Sequence, residues 1–244
     1  MSLDDARAES ERLRQELRRH SYLYHVETRP EIGDDEYDAL FGRLQAIEVA
    51  YPELCTPDSP TQRVGAEPQD KFDTVTHAAP MLSLDSTKDP DDVRRFDERM
   101  RKALGEGHAP VYVLEPKLDG VSIELVYEQG VLTRAVTRGN GREGELVTAN
   151  MRTIPSVPLR LRTDDRPAPA LVALRGEVLM YISDFQEFNA LRIESGEEPY
   201  ASPRNTAAGS VRQLDSRVTA STKLDVLVYD VLTVEGETFR SDTE

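Results

Sequence analysis

The chain has 244 residues, a formal net charge of −15 and a single cysteine, Cys55. This length fits one large domain or two smaller ones, and no apolar run approaches the roughly 18 residues of a membrane span. The lone cysteine excludes a disulfide framework or a four-cysteine zinc site within the chain. Because no signal peptide is visible, we expect a reducing, cytoplasmic location. The acidity argues against tight nucleic-acid binding by this chain alone, since duplex affinity comes largely from neutralising phosphates.

The N-terminal region is predicted to be a pair of helices. Apolar residues recur at helical spacing over residues 4–26, and Asp34 or Asp35 is expected to cap a second helix that ends before a proline. Residues 1–60 are therefore predicted to form a small helical hairpin. The proline-rich residues 61–80 are predicted to be a linker or a wrapping segment.

The remaining residues, 81–244, predict an α+β domain. Short turns separate the apolar runs, which favours antiparallel pairing of the strands. The predicted strands are Val111–Glu115, Val121–Tyr127, Val131–Arg138, Leu171–Met180 and Leu224–Leu232, and the predicted helices are Asp91–Leu104 and Asp184–Arg192.

Lys117 follows the first of these apolar runs and precedes a glycine turn, in the sequence EPKLDG at 115–120. An amine becomes nucleophilic when desolvation or nearby cations lower its pKa, and a lysine at a strand end facing a cleft fits that need. The alternative is a turn lysine that pairs with Asp119. The motif alone leaves both interpretations open.

Two glycine-containing runs in the same domain carry further charged residues. The sequence TRGNG at 137–141 forms either a loop in which Arg138 grips a phosphate or ribose, or an ordinary Asn-Gly hairpin turn. In the sequence LRGEV at 174–178, Glu177 binds a ribose hydroxyl or a divalent cation, or it pairs with Arg175 on a half-exposed strand.

The sequence SPRNTAAGSVRQ at 202–213 predicts a proline-initiated helix with small residues on one face. Arg204 and Arg212 on this helix are candidates for contacts with the phosphates of DNA. The alternative is a close-packed helix whose arginines are simply solvated.

The N-terminal hairpin carries aromatic and acidic residues that suit a flat cationic heterocycle. Aromatic rings can stack on it, and carboxylates can accept from ribose hydroxyls or neutralise a pyridinium. Packing between the two helices with acidic caps is the alternative. The residues concerned are Tyr22, Tyr24, His25, Asp34, Tyr37 and Asp38.

Taken in order, these runs resemble bacterial NAD⁺-dependent DNA ligases over essentially the whole chain. The matching runs are YLYH at 22–25, DDEYD at 34–38, PDSPT at 57–61, PMLSL at 80–84, EPKLDG at 115–120, TRG at 137–139, RGE at 175–177 and PRN at 203–205. The resemblance implies a nucleotidyltransferase domain, similar to that of DNA ligases and mRNA capping enzymes, behind a hairpin that recognises nicotinamide mononucleotide (NMN).

The resemblance also implies a role for each matching residue. In the hairpin it assigns NMN binding to Tyr24, His25, Asp34, Asp35, Glu36, Tyr37 and Asp38. In the body it assigns adenosine contacts to Ser83 and Leu84, the adenine contact to Glu115, and the ribose and phosphate region to Arg138 and Glu177. Lys117 is implied as the nucleophile and Asp119 as the residue that orients or deprotonates it.

The implied reaction has three steps and serves DNA replication and repair. Lys117 attacks the α-phosphate of NAD⁺ and releases NMN, the AMP passes to the 5′-phosphate of nicked double-stranded DNA, and the 3′-hydroxyl displaces AMP. Mg²⁺ is the expected metal, and a monomer that needs no membrane is the expected state. The alternatives are a non-catalytic NAD⁺- or NMN-binding module and an ATP-dependent nucleotidyltransferase.

The sequence departs from the family pattern in two ways. Family members continue beyond Leu232 with two further lysines, an OB-fold, a zinc module and other DNA-binding parts, so we expect a C-terminally truncated chain limited to adenylation, with zinc only in the missing region. Asn140 stands where the family usually has an acid, so no role is assigned to it.

Overall fold

The computed structural model describes residues 1–25, 27, 29–63, 70–82, 84, 86–105, 107–163 and 166–236, with only the backbone of His25. The α-helices are α1 Leu3–His25, α2 Asp34–Ala50, α3 Pro90–Leu104, α4 Thr148–Arg152, α5 Ile182–Glu194, α6 Pro203–Val211 and α7 Ser216–Ala220. The strands are β1 Thr74–Thr76, β2 Val121–Glu128, β3 Val131–Thr137, β4 Glu143–Glu145, β5 Leu171–Leu179 and β6 Asp225–Glu235. The α+β class predicted from the sequence is confirmed.

Helices α1 and α2 form the predicted hairpin, with its own apolar core that includes Leu13, Leu17 and Leu44. The N-cap of α2 is Gly33, whose backbone is extended and which has no side chain to cap the helix. The prediction that Asp34 or Asp35 caps α2 is therefore wrong. Both residues lie in its first turn, where carboxylates interact favourably with the helix dipole.

The body is built on a four-stranded antiparallel sheet in the order β3-β2-β5-β6, and β1 pairs with β4 in a second, two-stranded sheet. Alternate residues of β2, among them Ile123 and Leu125, are buried in the main apolar core. The intervening residues face the other side, where Ser122 lies opposite Glu177 and Glu124 opposite Arg175. Since side chains alternate along a strand, this second face collects polar groups next to the Lys117 loop.

The predicted strand Val111–Glu115 is not found: residues 108–119 have no helix or strand. Val111 and Leu114 are each 94% exposed. Both neighbouring positions beside β2 are occupied by β3 and β5. An apolar run becomes a strand only when another backbone supplies its hydrogen bonds, and a local pattern carries no information about that partner.

The hairpin contacts the body through a shared carboxylate. Arg18 of α1 and Arg160 of the body approach the same oxygen of the buried Asp58, at 2.6 and 2.5 Å. Burial by itself raises the pKa of Asp58, but hydrogen bonds from Arg160 and Thr56 and the charges of both arginines outweigh it, so the pKa lies below its ordinary value.

Replacement of Asp58 by asparagine is expected to destabilise the protein by about 2 kcal/mol at neutral pH, because two arginines lose their counter-charge and Arg160 is only partly exposed. A lowered carboxyl pKa stabilises the fold above the unfolded value of about 4 and ceases to do so as the pH falls through the folded value. The free energy of unfolding, measured with urea, should therefore differ between wild type and D58N by an amount that shrinks below about pH 4. A difference that stays constant with pH would contradict this linkage.

Candidate active site

Lys117 lies on an exposed loop whose following residues are held by two contacts from distant parts of the chain. Its Nζ atom is 3.5 Å from the carbonyl oxygen of Leu118. The carboxylate of Asp119 pairs with Arg204 of α6 at 3.1 Å. The alternative in which Lys117 pairs with Asp119 is therefore not what the structure shows. An exposed ion pair adds little to stability, so the Asp119–Arg204 contact matters chiefly for where the loop lies.

The second contact is made by Glu177, which is only 6% exposed on β5. Its carboxylate accepts a hydrogen bond from the backbone N–H of Gly120 at 3.2 Å and another from the Ser122 hydroxyl at 2.8 Å. The alternative pair of Arg175 with Glu177 is not what the structure shows, because Arg175 pairs with Asp230 at 3.5 Å. Glu177 thus connects β5 directly to the end of the Lys117 loop.

Gly120 leaves no space for a side chain. A Cβ atom at this position would lie 2.0 Å from the carbonyl oxygen of Val178. We expect G120A to force the Lys117 loop away from β5, to destabilise the protein by about 1–3 kcal/mol and to slow modification of Lys117 at least tenfold. Chemical unfolding and the rate of nucleotide attachment would measure the two effects.

Gly42 provides the matched control for that substitution. It lies inside α2, and a Cβ atom there would meet nothing within 4 Å. G42A should stabilise the protein by about 0.5–1 kcal/mol, since alanine favours a helix more than glycine does. If G120A behaves like G42A, the close approach of Gly120 to Val178 does not position the loop.

The loop that contains Arg138 closes a tight turn at the end of β3. Gly141 N–H donates to the Arg138 carbonyl at 2.9 Å, and the Asn140 side-chain oxygen accepts from the backbone N–H groups of Arg142 and Glu143, each at 2.9 Å. Asn140 therefore has a structural role in this turn. The loop also contacts the segment before Leu84, because Met81 N–H donates to the Gly141 carbonyl at 2.9 Å.

Three further residues are predicted on the adenosine side, Ser83, Leu84 and Glu115. Leu84 and Glu115 are exposed, and Glu115 lies on the irregular segment that precedes Lys117. Ser83 lies outside the described residues. The assigned contacts of all three residues with adenosine stay predictions.

Tyr229 lies on β6 close to Glu177 of β5, and no sequence motif pointed to it. Its pKa is raised by burial and by the charge of Glu177, while hydrogen bonding to Ser122 and Arg175 opposes the shift. In the paired strands, Val228 lies opposite Gly176 and Leu227 opposite Glu177, so Tyr229 is near Glu177 in the sheet, and it is 52% exposed. The alternation of residues along β6 was visible in the sequence, but the pairing of β5 with β6 shifts between Arg175 and Gly176, and alternation alone does not show that shift.

The hairpin carries a separate small cavity of about 150 Å³. The residues that line it are His20, Ser21, Tyr24, Pro30, Glu31, Ile32, Gly33, Asp34 and Tyr37. Three of the predicted NMN-binding residues, Tyr24, Asp34 and Tyr37, thus border one cavity. Burial raises the pKa of Tyr37, against the opposing charge of Arg63.

Among the other predicted hairpin residues, Asp35, Glu36 and Asp38 do not line this cavity. Asp35, Glu36 and Asp38 lie on the first turns of α2, and the side chain of His25 is outside the described part of the chain. Contacts between hairpin and body include the Asp58 pairs and Arg162, whose guanidinium lies 4.1 Å from the centre of the Tyr22 ring. These contacts involve neither Lys117 nor Glu177.

The two arginines predicted to meet DNA both hold carboxylates of this chain. Arg204 pairs with Asp119, and Arg212 makes two hydrogen bonds to Glu145 at 2.6 and 2.7 Å. The predicted proline-initiated helix is present as α6, with Ser202 as its N-cap. The predicted contacts of these arginines with the phosphates of DNA stay predictions.

Within the described residues, no group of three or more His, Cys, Asp or Glu side chains is arranged to hold a metal ion. None of the described helices is both long enough and apolar enough to cross a membrane.

Comparison with known proteins assigns the chain to a family. The model of the NAD-dependent DNA ligase adenylation domain matches residues 69–244, and that of the DNA ligase-like N-terminal NAD⁺-binding domain matches residues 3–65. The chain is 50% identical to a DNA ligase of Geobacter sulfurreducens over 95% of its length, and 52% identical to a DNA ligase of Rubrobacter xylanophilus over 99%. It spans about 35% of the length of each relative. The chain therefore belongs to the NAD-dependent DNA ligase adenylation-domain family and carries that family's N-terminal NAD⁺-binding domain.

Proposed function

We propose that this chain binds NAD⁺ and transfers its AMP to Lys117, as the adenylating part of an NAD⁺-dependent DNA ligase. The observation that carries the proposal is the placement of Lys117 on an exposed loop that Glu177 holds through Gly120 and Arg204 holds through Asp119. Such anchoring keeps a nucleophile accessible while limiting the conformations of its loop, which favours attack on a bound phosphorus.

In the proposed step, Lys117 first loses a proton, and Asp119 is the candidate to orient the amine or accept that proton. The Nζ atom then forms a bond to the α-phosphorus of NAD⁺ while the bond from that phosphorus to the bridging oxygen breaks. NMN departs with the bridging oxygen and its electron pair, and the nitrogen, now bonded to phosphorus, gives up its second proton to the departing phosphate or to water. The products are lysyl-AMP and NMN, so no oxidant or reductant is needed.

The two halves of NAD⁺ are proposed to occupy different surfaces. The polar face of the sheet, with Glu177, Arg138 and Tyr229, is the proposed adenosine side. The hairpin cavity bordered by Tyr24 and Asp34 is the proposed NMN side, where rings stack on nicotinamide and a carboxylate offsets its positive charge. On the NMN side we also propose Asp35, Glu36, Tyr37, Asp38 and His25. On the adenosine side we also propose Ser83, Leu84 and Glu115.

Mg²⁺ is the proposed metal, and it would supply positive charge to offset that of the phosphates. It characteristically binds through one or two carboxylates together with substrate phosphates. The exposed carboxylate of Asp119 fits that requirement. The same proposal includes nicked DNA as the substrate and a role in replication and repair. It also includes a monomeric state, a cytoplasmic location and zinc in parts of a longer protein.

The experiment that tests the proposal is intact-mass spectrometry of the chain incubated with NAD⁺ and Mg²⁺, with ATP in a parallel sample. We expect one AMP adduct per chain from NAD⁺ and none from ATP. Peptide mapping should place the adduct on Lys117. Calorimetric binding of NAD⁺ without any adduct would favour the non-catalytic module instead, and an adduct from ATP alone would favour the ATP-dependent class.

A further inference from the structure

Beneath the Arg138 loop lies a buried pair formed by His77 and Glu124, which the proposed reaction does not use. Both side chains are only 1% exposed, and His77 Nδ1 lies 2.7 Å from Glu124 Oε2. The other carboxylate oxygen accepts from the Ala78 backbone N–H at 2.8 Å, and His77 Nε2 lies 3.1 Å from the carbonyl oxygen of Arg138. Every polar atom of the two side chains therefore has a partner.

The partners determine how many protons the pair holds. Nε2 must carry a proton, because a carbonyl oxygen can only accept. A second proton lies between Nδ1 and the carboxylate, so the pair is either an imidazolium with a carboxylate or an imidazole with a carboxylic acid. Both forms have zero net charge, which makes deep burial of the pair tolerable.

The pair joins two chain segments to the centre of the sheet. Glu124 belongs to β2, His77 and Ala78 begin the segment that leads to Leu84, and Arg138 begins the loop after β3. Two backbone hydrogen bonds hold the same segments together, from His77 N–H to the Arg142 carbonyl at 3.0 Å and from Met81 N–H to the Gly141 carbonyl. Residues 77–82 therefore lie along the Arg138 loop.

We propose that Glu124 and His77 are positioning residues that hold residues 77–82 and the Arg138 loop in the arrangement needed for the adenosine half of NAD⁺. This inference rests on the proposed function. Loss of the pair frees Ala78 N–H and the Arg138 carbonyl together, so both sides of the adenosine-binding surface shift. The effect falls on NAD⁺ binding more than on the transfer step, because neither side chain contacts Lys117.

The test compares E124V with E124Q in NAD⁺-dependent self-adenylation. Valine suits a strand but removes both acceptor oxygens. Glutamine keeps an oxygen for Ala78 N–H and offers its amide to Nδ1, so a neutral His77 still donates to Arg138. We expect E124V to raise the NAD⁺ concentration that gives half the maximal rate of adduct formation, here called KM, about tenfold. The maximal rate should change less than about threefold, and E124Q should restore most of the affinity.

A matched control separates positioning from loss of stability. Asn150, buried in α4, donates to the Gln213 carbonyl at 2.7 Å and to the Thr219 hydroxyl at 2.8 Å. N150L removes comparable buried contacts away from the proposed site and should leave the KM unchanged. An equal rise in KM for N150L and E124V, or no rise for E124V, overturns the inference.

Amide hydrogen exchange without NAD⁺ keeps this inference distinct from the proposed function. E124V should lose protection at residues 78–82, and E124Q should keep it. If no variant forms an adduct, the proposed function fails while the exchange result still decides the positioning role, and unchanged protection in E124V overturns it. If E124V does not fold, the double variant H77F/E124L, which buries no side-chain charge, takes its place in every measurement.

Discussion

Replacement of Lys117 by arginine is expected to abolish formation of the AMP adduct, with a loss of roughly 10³-fold or more in rate. Arginine retains the positive charge and the length of the side chain, but its guanidinium stays protonated and is not a nucleophile. Because Lys117 is exposed and its one hydrogen bond within the described part of the chain is a long one to the Leu118 carbonyl, the fold should be unaffected. Intact-mass spectrometry with NAD⁺ and Mg²⁺ measures the adduct, and thermal unfolding measures the fold.

Lys223 is the matched control for that substitution. It is also exposed, and its ammonium pairs with Glu187 at 2.7 Å and Asp184 at 3.8 Å, on α5 and away from the Lys117 loop. K223R should form the adduct at the wild-type rate. An adduct that forms normally in K117R, or that maps to another lysine, would remove Lys117 from the proposed mechanism.

Replacement of Asp34 by alanine is expected to give the second-largest effect, a loss of about 10²-fold in kcat/KM for NAD⁺-dependent adenylation. The carboxylate borders the hairpin cavity with Tyr24 and Tyr37, and its removal takes away the charge proposed to offset that of nicotinamide. Binding of AMP alone, measured by calorimetry, should be unchanged, because the adenosine side is proposed to lie on the sheet.

Glu16 supplies the control for Asp34. It lies on α1, forms an exposed ion pair with Arg12 at 2.6 Å and does not line the hairpin cavity. E16A removes one negative charge from the same hairpin and should leave adenylation unaltered. If E16A and D34A reduce the rate equally, the cause is the net charge of the hairpin and the proposed NMN site is wrong.

Much of the local structure could be predicted from the sequence. Helical spacing indicated α1 and α2, and Pro203 after Ser202 indicated the start of α6. Alternating apolar runs on either side of Gly130 indicated the β2–β3 pair. These features depend on residues close together in the chain, whose preferences for a helix, strand or turn act without any distant partner.

The candidate site was only partly predictable. The sequence singled out Lys117, Asp119 and Glu177 as chemically interesting, and their roles stay predictions. It left open two ion pairs with near neighbours, Lys117 with Asp119 and Arg175 with Glu177, and the structure shows neither of them. In the structure, Asp119 meets Arg204 from 85 residues away, and Glu177 meets Gly120 from 57 residues away.

The sequence by itself determined the order of the helices and most strands, the antiparallel α+β class, and the lysine next to a glycine turn. Only the tertiary structure decided that residues 111–115 form no strand, that Glu177 holds the Lys117 loop, and that His77 meets Glu124. The physical reason is that buried hydrogen bonds and ion pairs form between whichever groups the fold brings together. Their energies depend on burial and distance, which a one-dimensional pattern does not contain.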